Sequence, residues 1–416
     1  MTQVDHQRQR EFAVQVVSTL RAAGFEALWA GGCVRDRLLG LVPKDYDVAT
    51  NARPEKIREV FGHRRTLAIG AAFGVITVLG PREAGQVEVA TFRQDTTYGD
   101  GRHPDSIIYC TAEEDAKRRD FTINGLFFDP VDEQTIDYVG GAADLDGGII
   151  RAIGEAEQRF TEDRLRLLRA VRFAAKFDFE LEEQTRRGIQ QLADGLAVVS
   201  AERIAMEMRQ MLAGPGSSRA VGLLRDLGLF AFVFSCAGDV PPAGEASWQP
   251  LSRLLQELDD PGFPLALAAV FTQLVGLVDA EQTCRSWKLS NVETARALWL
   301  YGNAAALDGA PSQFWPDVQR NLVHDGITDL VKLQAARTAV GSAEQDDLDF
   351  CRERLSWPQD KLNPPPLVTG DDLIAHGIVP GRSFKRLLDS ARNAQLMEEI
   401  ASREEALALV DRLLAD

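Results

Sequence analysis

A chain of 416 residues with 45% apolar side chains is long enough for two to four packed domains. Its formal net charge of −16 has the wrong sign for a generic polyanion binder, so nucleic-acid contact requires a local basic patch. The five cysteines (Cys33, Cys110, Cys236, Cys284 and Cys351) form no C-x-x-C pair, which argues against a disulfide framework or a thiolate zinc site and fits a reducing cytoplasm.

Met1 to Arg10 is polar and has no apolar segment of the kind a targeting signal needs. Val4 to Ala23 reads as an amphipathic helix ending at Gly24, and Phe25 to Ala30 as the first strand. Gly31-Gly32 breaks that strand, and Val34 to Leu39 has helical spacing. Two glycines at a strand-to-helix turn let a phosphate approach backbone N–H groups, and a helix start favours negative charge. Tyr46 to Ala49 reads as the second strand, Pro54 to Phe61 as a helix opened by proline, and Ala72 to Leu79 and Gln86 to Phe92 as β-branched strands. Arg93 to Pro104 (RQDTTYGDGRHP) reads as a mobile loop. Ile107 to Tyr109 is a short strand, Glu113 to Arg119 a charged helix, and Ile123 to Phe128 and Thr135 to Tyr138 are strands again. From Arg151 onward almost everything reads as helix, including Thr161 to Lys176, Glu182 to Leu192, Ala201 to Leu212 and Ser218 to Asp226. The longest apolar run, Pro264 to Val278, is broken by Thr272 and Gln273 and is too short for a membrane span. The expected architecture is an α/β head on a long helical arm.

The chemistry concentrates in the head. Asp45 and Asp47 flank Tyr46, and in an extended segment residues i and i+2 share a face. Two carboxylates side by side repel unless a cation lies between them, and hard oxygen donors beside a phosphate point to Mg²⁺. Glu88, in QVEVATF, is a candidate third carboxylate from a neighbouring strand; an ordinary solvent-facing Glu is the competing reading. Such a set suits in-line phosphoryl or nucleotidyl transfer, in which the remaining parts are cations and backbone donors. Arg35 lies just past the glycines. Lys117-Arg118-Arg119-Asp120 precedes FTINGLFF, with Asp120 at a turn where it can accept from a ribose hydroxyl. The Rossmann and P-loop patterns are absent after Ala30.

Thr161 reads as the N-cap of a helix with Glu162 and Asp163 in its first turn. Arg166, Arg169 and Arg172 follow Asp163 at three-residue steps, each step a turn of roughly 300°. With little acid opposite them, these arginines suit a triphosphate. Asp163 offers acceptors only and Arg166 donors only. Adenine and cytosine both present an amino group beside an unprotonated ring nitrogen, so this pair matches ATP and CTP and mismatches GTP and UTP.

GGCVRDRLLG with DYD, VEVATFR, YGDGRHPD, RRDFTING, EDRLRLLRAVRFA and SAERI, in that order between Leu28 and Leu212, resemble the bacterial class II tRNA nucleotidyltransferase/poly(A) polymerase family. PPPLVTGDDLIAHGIVPG and REEALALV look like that family's tail. The resemblance implies an α+β fold: a polymerase-β-like nucleotidyltransferase head (1–150), then an all-α neck carrying the base template (151–215), body (216–356) and tail (357–416), the last two binding tRNA. It implies that Asp45 and Asp47 bind catalytic Mg²⁺, that Gly32 and Arg35 contact nucleotide phosphates beside Gly31, and that Arg119 and Asp120 belong to the nucleotide and ribose motif. Asp163 and Arg166 would template the base, Arg169 and Arg172 would reach the triphosphate, and the helix from Ser200 to Arg203, with Glu207 one turn on, would brace them. The expected activity is CCA addition to the tRNA 3′ end from CTP and ATP, with neither membrane nor DNA as partner. Poly(A) synthesis, A-only or CC-only addition and a silent RNA-binding role stay open, although the loop at Arg93 to Pro104 argues against CC-only addition. His324-Asp325 resembles part of a phosphohydrolase motif, but no histidine lies between His103 and His324, so His324 is read as structural.

Overall fold

The computed structural model describes residues 5–95, 107–236, 248–258 and 261–415. Of the loop expected over Arg93 to Pro104, only residues 93–95 fall within it. The chain divides into two compact units, Met1–Ala243 with Ser286–Lys288, and Gly244–Arg285 with Leu289–Asp416.

The first unit begins with α1 (His6–Ala22), capped by the Asp5 carboxylate and stopped at Gly24, whose φ of +87° suits glycine. Phe12, Ala13, Val16, Val17 and Leu20 recur at helical spacing and are buried against β1 (Ala27–Ala30) and its neighbours. In chain order follow α2 (Gly32–Leu38), β2 (Asp47–Thr50), α3 (Pro54–Phe61), β3 (Thr66–Leu67), β4 (Val75–Leu79), β5 (Gln86–Thr91), β6 (Arg93–Asp95), β7 (Ile107–Tyr109), α4 (Ala112–Arg118), β8 (Phe127–Asp129) and β9 (Gln134–Ile136). Seven of these strands form a mixed sheet in the order β3-β4-β5-β2-β1-β8-β9. β2 runs antiparallel to β1 and parallel to β5, and the register sets Asp47 beside Glu88 and Val48 beside Val89. Val48, Val87 and Val89 are fully buried while Asp47, Gln86 and Glu88 are exposed, so alternation fixes which face carries the acids.

The helical part of this unit comprises α5 (Gly141–Asp146), α6 (Ala156–Glu162), α7 (Leu165–Phe177), α8 (Glu183–Gln191), α9 (Ala201–Leu212), α10 (Ser217–Asp226) and α11 (Phe230–Val233), with the short parallel strands β10 (Ile149–Ile150) and β11 (Glu180–Leu181). α7 is nearly all buried and packs against α9 and α10.

In the second unit, α12 (Gln249–Glu257), α13 (Phe263–Gln273), α14 (Ala280–Ser286), α15 (Asn291–Gly302), α16 (Trp315–Leu322) and α17 (Ile327–Ala339) lead to α18 (Gln345–Leu355), α19 (Gln359–Leu362), α20 (Gly370–Ala375), α21 (Arg382–Leu396) and α22 (Arg403–Ala415). The longest apolar run is α13, buried from Phe263 to Phe271 except at Pro264, and packed on α15, α12 and α17. No helix among the described residues is long and apolar enough to cross a membrane. Val368, Leu373, Leu387, Ala406 and Val410 close a separate core under α20, α21 and α22. His324 stacks on Trp299 at 3.7 Å between ring centroids and accepts from the Gly326 N–H, so it has the structural role expected.

Several expected elements differ. The strand read from Ala72 begins only at Val75, after a tight turn at Ala71–Phe73, and Arg93–Asp95, expected within the loop, form β6 paired antiparallel with β7. The strand read from Ile123 to Phe128 begins instead with a tight turn at Thr122–Asn124, because the Asp120 carboxylate captures the Phe121 N–H and the Asn124 amide. The helix read as starting at Thr161 is two helices. Thr161 lies in the last turn of α6, its hydroxyl donating to Glu157 O at 2.7 Å, and the break falls at Asp163, whose extended backbone ends α6.

Gly141 opens α5 where a Cβ would lie 2.1 Å from Thr122 O, whereas a Cβ at Gly140, φ +76°, meets nothing within 4 Å. Gly141→Ala is therefore expected to cost about 2–3 kcal/mol by overpacking, and Gly140→Ala about 1 kcal/mol through its backbone alone. Denaturant midpoints of the two variants check the order.

Candidate active site

The acidic corner follows from the β2–β5 pairing. Tyr46 turns inward, 5% exposed, with its ring 4.7 Å from that of Trp29. Asp45 and Asp47 therefore face out on either side of it. Together with Glu88 they line an open cleft of about 770 Å³ between β2, β5 and the turn after β4. Partial desolvation at the cleft floor, then repulsion from Asp45 and Glu88, push the Asp47 carboxyl up to about 7, with Arg119 opposing. Among the described residues no three acidic, imidazole or thiol side chains converge tightly enough to enclose a cation. This donor set fits Mg²⁺ held in an open site, since that ion commonly takes one or two protein carboxylates and completes its shell with substrate phosphates and water. Cys33 sits behind β2, and burial raises its thiol to about 12, so it stays protonated.

The glycine turn borders this corner. Gly31 has φ +70°, which favours glycine, and a Cβ there would also displace Arg119 Nη1, 2.9 Å away. Arg119 in turn is held by Asp115 at 2.9 Å and donates to Asn124 O at 3.3 Å. Asp115, 1% exposed, binds Arg118 with its other oxygen at 2.7 Å. Of the basic triplet, then, only Lys117 is a solvated helix end, paired with Glu113. Arg35 does not stand open beside the glycines. It is 5% exposed, bonded to Asp36 and Asn124 at 2.6 Å each, with Phe173 and Phe177 against its guanidinium.

α7 brings the later residues to the same place. Asp120 accepts from Phe121 N and Asn124 Nδ2 with one oxygen and from Arg169 at 2.6 and 2.8 Å with the other. Burial opposes its charge, but Arg169 and the Asn124 bond outweigh that and hold the carboxyl at about 2. Its lone pairs are taken, so Asp120 is first an anchor for Arg169 and Asn124, and contact with a ribose requires exchange of one of these bonds. Arg172, 9% exposed, is bound by Glu207 at 2.6 Å and Gln210 at 2.8 Å. Acid does stand opposite these arginines, contrary to the expectation from α7 alone, because α6 supplies Glu162 to Arg166, the turn after α4 supplies Asp120 to Arg169, and α9 supplies Glu207 to Arg172. Asp163 caps α7 by accepting Leu165 N at 3.0 Å and pairs with Arg203 of α9 at 2.8 Å. Arg166 is paired with Glu162 at 2.9 Å and donates to Arg118 O.

The sequence-derived residues thus form two neighbouring groups, the carboxylates Asp45, Asp47 and Glu88, and an arginine-rich network through Arg35, Arg119, Asp120, Asp163, Arg166, Arg169 and Arg172. Sequence reasoning missed Asp115 and Asn124, which join the network from α4 and the turn after it. Asp115 was signalled by its spacing of three and four to Arg118 and Arg119; Asn124 carried no local signal.

The Asp120 carboxyl lies below its ordinary unfolded value of about 3.9. Its ionisation therefore contributes stability that is fully present above about pH 4 and lost as pH falls through about 2, worth about 2 kcal/mol at neutral pH. Urea midpoints of wild type and Asp120→Asn should differ at pH 7 and converge towards pH 2.5; a gap independent of pH would contradict this.

Comparison with known proteins gives the same result along nearly the whole chain. The sequence profile of the Poly A polymerase head domain matches residues 27–151, and that of the probable RNA and SrmB-binding site of polymerase A matches residues 178–237. The CCA-adding enzyme of Geobacillus kaustophilus (strain HTA426) is 33% identical over 406 residues, covering 95% of each chain. That of Lactiplantibacillus plantarum is 31% identical over 421 residues, covering 97% of this chain and 96% of the other. The crystal structure of Bacillus stearothermophilus CCA-adding enzyme in complex with CTP superposes with a TM-score of 0.78 at 29% identity over 98% of both chains. The Thermotoga maritima CCA-adding enzyme complexed with tRNA shares the fold, at TM-score 0.65 and 19% identity over 97% of this chain and 95% of the other. With a polymerase-β-like head, helical remainder and full-length relatives of this kind, the chain belongs to the CCA-adding enzyme family of tRNA nucleotidyltransferases.

Proposed function

We propose that this chain adds C, C and A to the 3′ end of tRNA from CTP and ATP, without a nucleic-acid template, in the cytoplasm. The observation that carries the reading is the register that sets Asp47 beside Glu88, with Asp45 on the same face, next to an arginine network anchored by Asp120. The 3′ hydroxyl gives up its proton to solvent as it attacks the α-phosphate in line, the new O–P bond forms as the α–β bridge breaks, and pyrophosphate leaves with the electron pair. Asp45 and Asp47 are the residues that would hold Mg²⁺, which when bound would neutralise charge on the triphosphate and acidify the attacking hydroxyl. Glu88 adds a third negative charge at the corner, so the apo site repels itself and favours a cation.

The protein's own groups then position the nucleotide. Gly31 and Gly32 let phosphate oxygens approach the backbone, and Arg119, fixed by Asp115, faces the same turn. Arg169 keeps a third of its side chain accessible while bound to Asp120, and offers that part to the triphosphate. Arg35 and Arg172 are buried and paired, so they act mainly through field and placement. Asp163 and Arg166 read the base, Asp163 accepting an amino group and Arg166 donating to the ring nitrogen. Arg203 and Glu162 hold the two at fixed angles. In this assignment residues 1–150 carry the chemistry, 151–215 the base template, and 216–356 and 357–416 the tRNA contacts. The CCA product itself is tested on tRNAs ending before, within and after CCA, with each nucleotide supplied alone; unlimited A addition would indicate a poly(A) polymerase.

Asp45→Ala and Asp47→Ala are each expected to lower incorporation from CTP and ATP by about 10³-fold or more while tRNA binding persists. Retained incorporation would remove the metal assignment. Asp163→Ala is expected to reduce discrimination against GTP and UTP by about tenfold or more, because the mismatched carbonyl no longer faces a buried acceptor. Arg203→Ala should move discrimination in the same direction with the KM for tRNA unchanged, as befits a positioning residue.

A further inference from the structure

The second unit carries a cleft of about 540 Å³ between α16, α18, α19 and the end of α21, within the size range of small-molecule sites. Trp315, Phe350 and Trp357 line it, each only half-buried. The Trp315 ring lies 5.7 Å from that of Trp357 and 6.5 Å from that of Phe350. Phe350, Arg354 and Trp357 follow one another at four- and three-residue steps, so α18 and the turn after it present them along one side. The Arg354 guanidinium lies 4.1 Å from the Phe350 ring centre and 4.5 Å from that of Trp357, and the Lys361 ammonium lies 3.9 Å from Trp357. These rings do not belong to the closed core under α20, α21 and α22.

The chemistry of the walls limits what the cleft takes. A cationic ligand would compete with Arg354 and Lys361, which already sit on the ring faces. An apolar peptide is a poor match for a lining that also includes Arg354, Asp360, Lys361 and Glu398. A flat aromatic base carrying a phosphate fits each part. The base stacks on the Trp315 indole or on the Arg354 guanidinium plane that Trp357 backs, the two cations meet the phosphate, and the carboxylates accept from exocyclic amino groups. Paired bases hide their faces in the helix, so the ligand in RNA is an unpaired nucleotide. We propose that this cleft binds an unpaired nucleotide of the RNA substrate, outside the catalytic corner. The proposal rests on the reading that the chain acts on RNA.

The test uses the full chain. Trp357→Ala is expected to raise the KM for tRNA about tenfold, the loss of one stacked base, with kcat and the KM values for CTP and ATP unchanged. Trp357→Phe should restore most of the affinity. Lys361→Ala, at an exposed position, tests the same cleft without removing a ring and should raise the KM for tRNA about threefold. Tryptophan fluorescence, taken as the difference between wild type and Trp357→Phe, should be quenched by tRNA and by single-stranded RNA but not by ATP or CTP at working concentration. An unchanged KM for tRNA in both Trp357→Ala and Lys361→Ala, with wild type active, overturns the cleft and leaves the function standing. If wild type adds nothing to tRNA, the functional reading fails by itself, and Trp357-dependent quenching by single-stranded RNA then decides the cleft, its absence overturning it. Trp357-dependent quenching by free ATP but not by RNA would make it a free-nucleotide site and overturn the RNA source.

Discussion

The ion pair between Asp120 and Arg169 is the constraint on which the arrangement of the first unit depends. It joins the turn after α4, which belongs to the head, to α7 in the helical part. A charge taken out of water is tolerated only when its lone pairs or protons are nearly all satisfied, and removal of one partner leaves the other stranded. Asp120 meets that condition with four donated bonds, so its position specifies Asn124, the Asn124 side chain specifies Arg35, and Arg169 specifies the rotation of α7. The chain of contacts continues through Glu207 of α9 to Arg172, one turn further along the same side of α7. In the proposed assignment, the surface that meets the triphosphate is in this way assembled before the nucleotide binds.

Pre-pairing also explains how arginines crowd near one another in a folded state. Arg35, Arg119, Arg166, Arg169 and Arg172 each have a carboxylate within 3 Å. The pairs cancel mutual repulsion and fix side-chain angles, which lowers the entropy lost when a triphosphate is bound. The cost is intrinsic affinity, because each guanidinium has already given part of its donor capacity to the protein. At the acidic corner the balance is the opposite. Asp45, Asp47 and Glu88 face one another without a comparable internal cation, and Asp47 is pushed up to about 7, first by desolvation and then by repulsion from the other two. In the proposed assignment the protein is therefore neutralised where the nucleotide would bring negative charge and left acidic where a cation would be held.

Much of this was legible in the sequence because the relevant periods are short. Tyr46 between two aspartates, and Glu88 between Val87 and Val89, show their faces through alternation alone, and the ladder then sets them side by side. The helical period of α7 likewise shows its row of arginines. What sequence could not show is which element lies opposite. Glu207 and Arg203 are about forty residues from the groups they hold, and no local pattern announces that α9 packs along α7. The break at Asp163 was hidden for a related reason. Thr-Glu-Asp is a favourable helix start on local grounds, but α6 already occupies Thr161 and Glu162, and the Asp163 carboxylate is used two residues before α7 instead of in its first turn.

That break bears on base choice. Inside a continuous helix, Asp163 would direct its carboxylate along the helix surface and its distance from Arg166 would be set by helix geometry alone. At a break, the backbone of Asp163 is extended while Arg166 is already helical, so the two side chains leave the chain in independently set directions. Each is then tied to its own support, Arg203 for the one and Glu162 for the other. Discrimination between bases by a donor and an acceptor requires the spacing between them to be held to a fraction of an ångström, because a misplaced group accepts the wrong edge as readily as the right one. Two separately braced groups meet that requirement better than two neighbours on a helix that bends as one body. If Asp163 and Arg166 template the base as proposed, the irregular backbone at Asp163 is where the helical part of the fold becomes selective.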